Sequence, residues 1–452
     1  MRLTEGSIPR VIIRFAMPLF LGNVFQQLYN AADAFIVGNL LGDTALAAVA
    51  SSGSLLFLMI GMFNGLFMGA GVVTARFFGQ EDTRRLRLSV HSTVLASLIF
   101  GAAIMVIGTL ATPAILRAMG TPANVMPQTA QYVRIYFLGG VGLTVYNACM
   151  GIMQAVGDSR HPLMYLIFSS VLNVILDVVF IRFFGMGVDG AALATIIAQF
   201  LSAGLCILRL MRTRESHRLV LRELKLDWIC FKMFLRYGLP SALQNSVIAF
   251  ANIVVQSNIN SFGEFAMAGC GAYSKLEGFA FIPIVSFSAA MTTFVGQNLG
   301  AGEYGRAEKG ARFGVLCATA IAEVIGVTSF LLAPQLIGLF ADDAAAIGFG
   351  VNKMRICSLF FCIIAMTHVM SGVLRGAGRA IVPTVVLLSV WCVFRVAFLA
   401  VMVPIVGTID IVNWVYPITW FMSAVILVIY FLKSDWLHAF DKVSAAECGG
   451  IG

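Results

Sequence analysis

Twelve times along this chain an apolar stretch recurs that is about 20 residues long, enough to cross a hydrocarbon core of roughly 30 Å. The stretches lie near 11–36, 46–74, 90–112, 130–153, 163–183 and 190–209, then near 233–261, 267–295, 311–333, 350–373, 381–403 and 412–432. Lipid offers no partner to a backbone N–H or C=O, so a spanning segment is either a helix or a strand of a closed barrel. Barrel strands are short and alternate in polarity, whereas these runs are long and continuous. The expected fold is therefore an all-α integral membrane protein of twelve transmembrane helices. Composition agrees: 59% of the 452 residues are hydrophobic and 12% are charged, against about 25% charged in soluble globular chains.

A formal charge of +8 would fit nucleic acid as a partner, but its placement points elsewhere. With the N-terminus inside the cell, the inner segments collect 23 of the 30 Lys and Arg, eight of them between Arg209 and Arg236. The positive-inside rule then places both termini in the cytoplasm and makes anionic lipid the neighbour of the basic loops. The expected location is the cytoplasmic (plasma) membrane, multi-pass, with no nucleic-acid partner. Nine cysteines, scattered without a CxxC pair, read as small core residues rather than a disulfide framework. The first apolar run is too long for a signal-peptide core and is expected to be retained.

The chain repeats itself. Pro18 matches Pro240, Leu21 matches Leu243, Asn23 matches Asn245 and Asn30 matches Asn252. After a one-residue slip Gly79 matches Gly300, Arg85 matches Arg306, Gly151 matches Gly372, Gly157 matches Gly378 and Pro162 matches Pro383. Six spans per half start the second half on the same side as the first, which predicts two parallel-repeat six-helix lobes around a central cleft. The expected division is an N-lobe over 1–210, a cytoplasmic linker over 211–231, a C-lobe over 232–435 and a short cytoplasmic tail over 436–452. Pro18 and Pro240 each remove a backbone hydrogen bond inside the first helix of a lobe, so both are hinge candidates.

LYNAADAFIVGNLLG, ARFFGQEDTRRLR and GIMQAVGDSRHP, with VGQNLGAGEYGRAEKG and GVLRGAGRAIVP repeating two of them, give a pattern that resembles the multidrug and toxic compound extrusion (MATE) family over essentially the whole chain. The resemblance implies secondary active efflux of amphipathic, often cationic compounds, coupled to an inward flux of H+ or Na+; a monomer with no cofactor is expected.

A charge at mid-membrane costs about 2.5–3.5 kcal/mol on insertion scales, so embedded ionisable groups need a reason. Asp33, Asp177, Lys275, Glu277, Glu323 and Arg395 fall within the apolar runs. Asn173 and Asp177 share a face of the fifth helix, and with Asp33 and Thr195 they fall in one layer near the outer surface. Two carboxyls, an amide and a hydroxyl suit a hard cation such as Na+, and two neighbouring carboxyls also suit a shared proton. The bland alternative is a satisfied interhelical contact. The family comparison assigns Asp33, Asn173, Asp177 and Thr195 to a cation site in the N-lobe and adds Tyr132. The sodium-coupled branch of that family with carboxylates in helices seven and ten would need acids near Ile248 and Ile364 for a site in the C-lobe, and the chain has none. Glu277 and Arg395 read as a buried ion pair or as substrate contacts. Gln27, Asn30, Gln244, Asn245, Asn252 and Gln256 are candidates for the few polar groups of an otherwise Phe- and Met-rich cleft. Glu323 has no assignable partner. A flippase of lipid-linked saccharides is the alternative function. Membrane-embedded catalysis is disfavoured because His91, His161, His217, His368 and His438 are isolated in sequence.

Overall fold

The computed structural model describes residues 2–121, 123 and 125–440; Lys442 and the end of the expected tail lie outside them. Among the described residues every long element is a helix. We number the spans α1 (Ile8–Leu41), α2 (Asp43–Gly79), α3 (Thr83–Ala118), α4 (Met126–Leu138 with Gly140–Ala155), α5 (Arg160–Val178, continued as a π-helical turn Val179–Phe183) and α6 (Val188–Arg212). The second set is α7 (Trp228–Asn260), α8 (Glu264–Gly300), α9 (Tyr304–Leu331), α10 (Ala344–Ser358 with Phe361–Gly376), α11 (Ile381–Leu387, a π-helical stretch Leu388–Phe394, then Arg395–Val406) and α12 (Ile409–Lys433). Ten of these are long and apolar enough to span as single helices, and α4 and α10 make twelve as bent spans, broken by 49° and 55°. The outside is greasy: Leu110, Phe183, Leu316 and Leu432 are among the most exposed side chains, as expected where the solvent is lipid.

Among the described residues two compact units emerge, one comprising 21–239 with Arg2 and the other 3–20 with 240–440. The divisions fall inside α1 and α7, close to Pro18 and Pro240. In the first unit the start of α7 is held against α2, where a Cβ on Gly69 would lie 2.2 Å from the Gly238 nitrogen. In the second, the segment ahead of α1 is tied down by Arg306, whose guanidinium donates to the carbonyls of Leu3, Glu5 and Gly6.

The repeated signatures are turn chemistry. After α2, Asp82 caps α3 by accepting from the Arg85 N–H at 2.9 Å, and Glu81 adopts a left-handed φ of 56° where its repeat counterpart is Gly302 at 76°. Gly157 and Gly378, at φ 81° and 74°, end α4 and α10, a conformation that only glycine adopts without a Cβ penalty. Gly151 and Gly372 match for a different reason. Each faces the helix that packs on it: a Cβ on Gly151 would lie 3.1 Å from the Phe67 carbonyl, and one on Gly372 2.4 Å from the Ser288 carbonyl.

The polar segment between the halves is folded onto α3. Val220 N donates to His91 Nε2 at 3.1 Å, leaving His91 Nδ1 to donate to the Arg87 carbonyl at 2.7 Å. Arg87 pairs with Glu223 at 2.7 Å, and the Asp227 N–H donates to Ser92 at 2.8 Å. His91, isolated in sequence, is thus a structural tie.

Candidate functional site

The first unit brings two acidic and two neutral polar residues from three helices to one place. Asp33 lies on the last third of α1, Asp177 and Asn173 one turn apart on α5, and Thr195 two turns into α6. Asp177 and Asn173 are fully buried, Thr195 nearly so, and Asp33 is half-buried. The Asp33 and Asp177 carboxyls are neighbours that act on each other directly, and two carboxyls so placed can share one proton. With both ionised, Asp33 Oδ1 and both Asp177 oxygens are buried without a donor, as is Asn173 Oδ1. The Asn173 amide nitrogen points the other way, toward Thr195 Oγ1 at 3.4 Å, and that hydroxyl donates to the Ala191 carbonyl at 3.0 Å. The site therefore presents carboxyl and amide oxygens and no cationic side chain among its contacts. That donor set fits a proton or a hard monovalent cation. It does not contain the three His, Cys, Asp or Glu groups of a typical transition-metal site, and no such group occurs among the described residues.

Tyrosines wall this oxygen cluster. Tyr132 and Tyr136 on α4 are buried, with ring centroids 6.4 Å apart. Gln199 Nε2 donates to the Tyr136 hydroxyl at 3.1 Å, and the Tyr29 hydroxyl lies beside Thr195. Tyr29, Tyr136 and Gln199 escaped the sequence reading. Each sits four residues from a residue that was singled out, Asp33, Tyr132 and Thr195, and so on the same helix face; that spacing was the signal.

The cleft candidates divide between the two units. Gln27 and Asn30 belong to the first unit, where Asn30 is exposed and accepts from Gln26 at 3.3 Å. In the second unit, buried Gln244 accepts from the Thr384 hydroxyl at 3.3 Å and so ties α7 to α11. Asn245 is half-buried, Asn252 and Gln256 are exposed, and Gln256 donates to Asn260 at 2.8 Å.

Glu277 and Arg395 do not form the expected ion pair. Tyr273, one turn earlier on α8, donates to Glu277 Oε1 at 2.8 Å, while buried Arg395 donates to Thr419 Oγ1 at 2.7 Å and packs over the Tyr416 ring at 4.7 Å. Glu277 takes the donor one turn away on its own helix, which is already in place, and Arg395 takes a hydroxyl on α12. The cation that acts most strongly on Glu277 is Lys353. Lys353 escaped notice because the sequence placed it at the very start of a span, whereas α10 begins at Ala344 and carries it roughly 14 Å in at 1.5 Å per residue. Lys275 points elsewhere, over Phe340. Glu323 lies beside Cys362 with Oε2 buried and undonated. Ile248 and Ile364 sit in an apolar cluster, so the second unit has no carboxylate pair there.

Twelve candidate spans in two six-helix repeats, with charged and polar groups buried among them, have the build of a membrane transporter. The sequence profile of the MatE family matches the chain twice, over residues 18–179 and 240–401, starting from the two repeated prolines. The chain belongs to the MatE family. It is 29% identical over 404 residues to the "Probable multidrug resistance protein YpnP" of Bacillus subtilis, covering 88% of this chain and 89% of that protein. A FAD transporter of Shewanella oneidensis is 24% identical over 351 residues, 75% of this chain and 76% of that one. Among solved structures, an outward-facing multidrug resistance MATE family transporter superposes with a TM-score of 0.86 at 24% identity over 98% of both chains.

Proposed function

We propose that this protein is a cation-coupled exporter of amphipathic compounds working by alternating access in the plasma membrane, with Asp33 and Asp177 as the coupling site. The observation that supports this is the set of buried acceptor oxygens on Asp33, Asp177 and Asn173, which no donor satisfies. A buried carboxylate left without a partner is expensive, so the pair is complete only when it holds a cation. A proton is the first reading, because two neighbouring carboxyl groups repel when both are ionised and a single proton relieves that repulsion. The amide and carboxyl oxygens together favour Na+ as the second.

The cycle follows from linkage. A cation bound from outside shifts the protein toward the conformation that releases cargo only if it binds the two conformations unequally. Loss of the cation to the cytoplasm restores the form that reloads. Asn173 and Thr195 position the Asp177 side of the site, and Tyr29 and Tyr132 screen it from lipid.

The test is efflux of a fluorescent organic cation from proteoliposomes with the proton and sodium gradients imposed separately. Asp33→Asn and Asp177→Asn are expected to abolish gradient-driven efflux while the protein stays monodisperse in detergent. Undiminished efflux in both variants would sink the assignment. Since one relative is a flavin dinucleotide transporter, an acidic cargo belongs in the same assay.

A further inference from the structure

The second unit holds a buried cluster of the opposite charge. Lys353 and Arg395 are each 2% exposed. They share one aromatic ring: Lys353 Nζ is 4.9 Å from the centroid of Tyr416 and Arg395 Cζ is 4.7 Å from it. Lys353 also lies 5.1 Å from the centroid of Tyr273. Glu277, held by the Tyr273 hydroxyl, is the carboxylate of this cluster. Counting Lys353 and Arg395 as cations and Glu277 as an anion, the site carries one positive charge in excess, walled by Trp391, Trp420 and Phe361.

Its hydrogen bonds are also incomplete. Lys353 contacts ring faces and forms no hydrogen bond or ion pair among the described residues. Arg395 uses one nitrogen on Thr419, and its Nε is buried without an acceptor. Asn413, a turn away from Tyr416 and fully buried, leaves both side-chain atoms unpaired. The unpaired Arg395 Nε and Asn413 Nδ2, beside a lysine that only ring faces meet and in a cluster short of negative charge, call for an acceptor from outside the chain.

The repeat sharpens the contrast. At the offset of 221 that carries Val188–Arg212 onto Ile409–Lys433, Tyr132 corresponds to Lys353, Tyr136 to Cys357 and Thr195 to Tyr416. The helix positions that wall an acidic cluster in the first unit form a basic one in the second. The geometry points to an anion site in the second unit, built by Lys353, Arg395 and Asn413 around Tyr416, that takes a carboxylate or similar singly charged acidic group. The group comes either from an amphipathic cargo or from a free small anion.

Equilibrium binding decides it, with the full chain in phosphatidylcholine nanodiscs so that no anionic lipid competes. The probe is 11-(dansylamino)undecanoate against its neutral methyl ester, with a separate titration of chloride replacing gluconate and read by tryptophan fluorescence. We expect the carboxylate to bind at least tenfold tighter than the ester. Lys353→Gln and Arg395→Gln should erase that preference and Lys353→Arg should keep it. A saturable chloride response lost in Lys353→Gln, without carboxylate preference, supports the site and assigns the free anion. Equal binding of carboxylate and ester with no chloride response overturns the proposal, as does a preference that survives both Gln variants. If those variants fail to give a monodisperse protein, Glu277→Gln decides: removing the competing carboxylate should tighten carboxylate or chloride binding severalfold, and unchanged or weaker binding overturns the site. Transport is not measured, so a failure of the coupling assignment at Asp33 leaves this result untouched.

Discussion

At the scale of single residues, Asp33 shows what burial does to a polar side chain. Alone on α1 it would be an exposed or snorkelling acid; beside Asp177 it becomes half of a site that demands a cation. Asp177→Asn removes one carboxyl and turns an acceptor into a donor, so the remaining Asp33 can accept a hydrogen bond without a cation. Coupling should be lost while stability is held or raised, checked by thermal unfolding in detergent alongside efflux. His217 offers a residue-level pH prediction outside the spans. Burial pushes its imidazole below the ordinary 6.5, against the opposing pull of Glu215. A lowered folded value means that stability is present above about 6.5 and falls as acidification forces a proton onto the buried ring. His217→Gln should therefore flatten the loss of unfolding temperature between about pH 7 and pH 5, and an unchanged slope would assign that loss to other groups.

At the scale of elements, packing rests on close backbone approach more than on large side chains, as lipid supplies no hydrophobic drive between helices. α8 and α10 touch where Gly372 meets the Ser288 carbonyl, while Thr292 donates to the Gly372 carbonyl at 2.9 Å and Ser288 to that of His368 at 2.7 Å. A methyl at Gly372 has backbone on its far side, which cannot swing away. Gly372→Ala should cost about 1–3 kcal/mol, read as a lower unfolding temperature and reduced yield of folded protein. Gly348, inside α10 with open space around its Cβ position, is the control: Gly348→Ala should lower neither reading. The bends in α4 and α10 belong to this scale too. The apolar runs near 130–153 and 350–373 announced one span each, but not that each is two helices meeting at 49° and 55°, because hydropathy averages over a break of one or two residues.

At the scale of the whole molecule, the basic residues of the inner loops make a topological prediction. Reporter fusions after Trp436 and within the 213–227 segment should both be active only with a cytoplasmic reporter, whereas a fusion between α3 and α4 should need an exported one. The reverse pattern would invert the orientation. The units cross the sequence halves: residues 3–20 pack with the second unit and the start of α7 with the first. No hydropathy profile could show that, since the exchanged pieces are apolar wherever they pack.

The sequence by itself determined the number of spans, the duplication, the family and the acids of the first unit. All of these follow from local quantities: a run length fixed by bilayer thickness, a recurrence of Pro, Gly and Asn at constant spacing, and the cost of a charge in an apolar run. Only the tertiary structure decided which polar groups meet. It brought Tyr29 to Thr195, separated Glu277 from Arg395 and set Lys353 beside Arg395 on one tyrosine ring. The physical reason is that a helix fixes neighbours four residues apart, whereas partners on different helices depend on the rotation and depth at which those helices pack. A few ångströms of either decide whether a buried acid meets a cation, a hydroxyl or another acid.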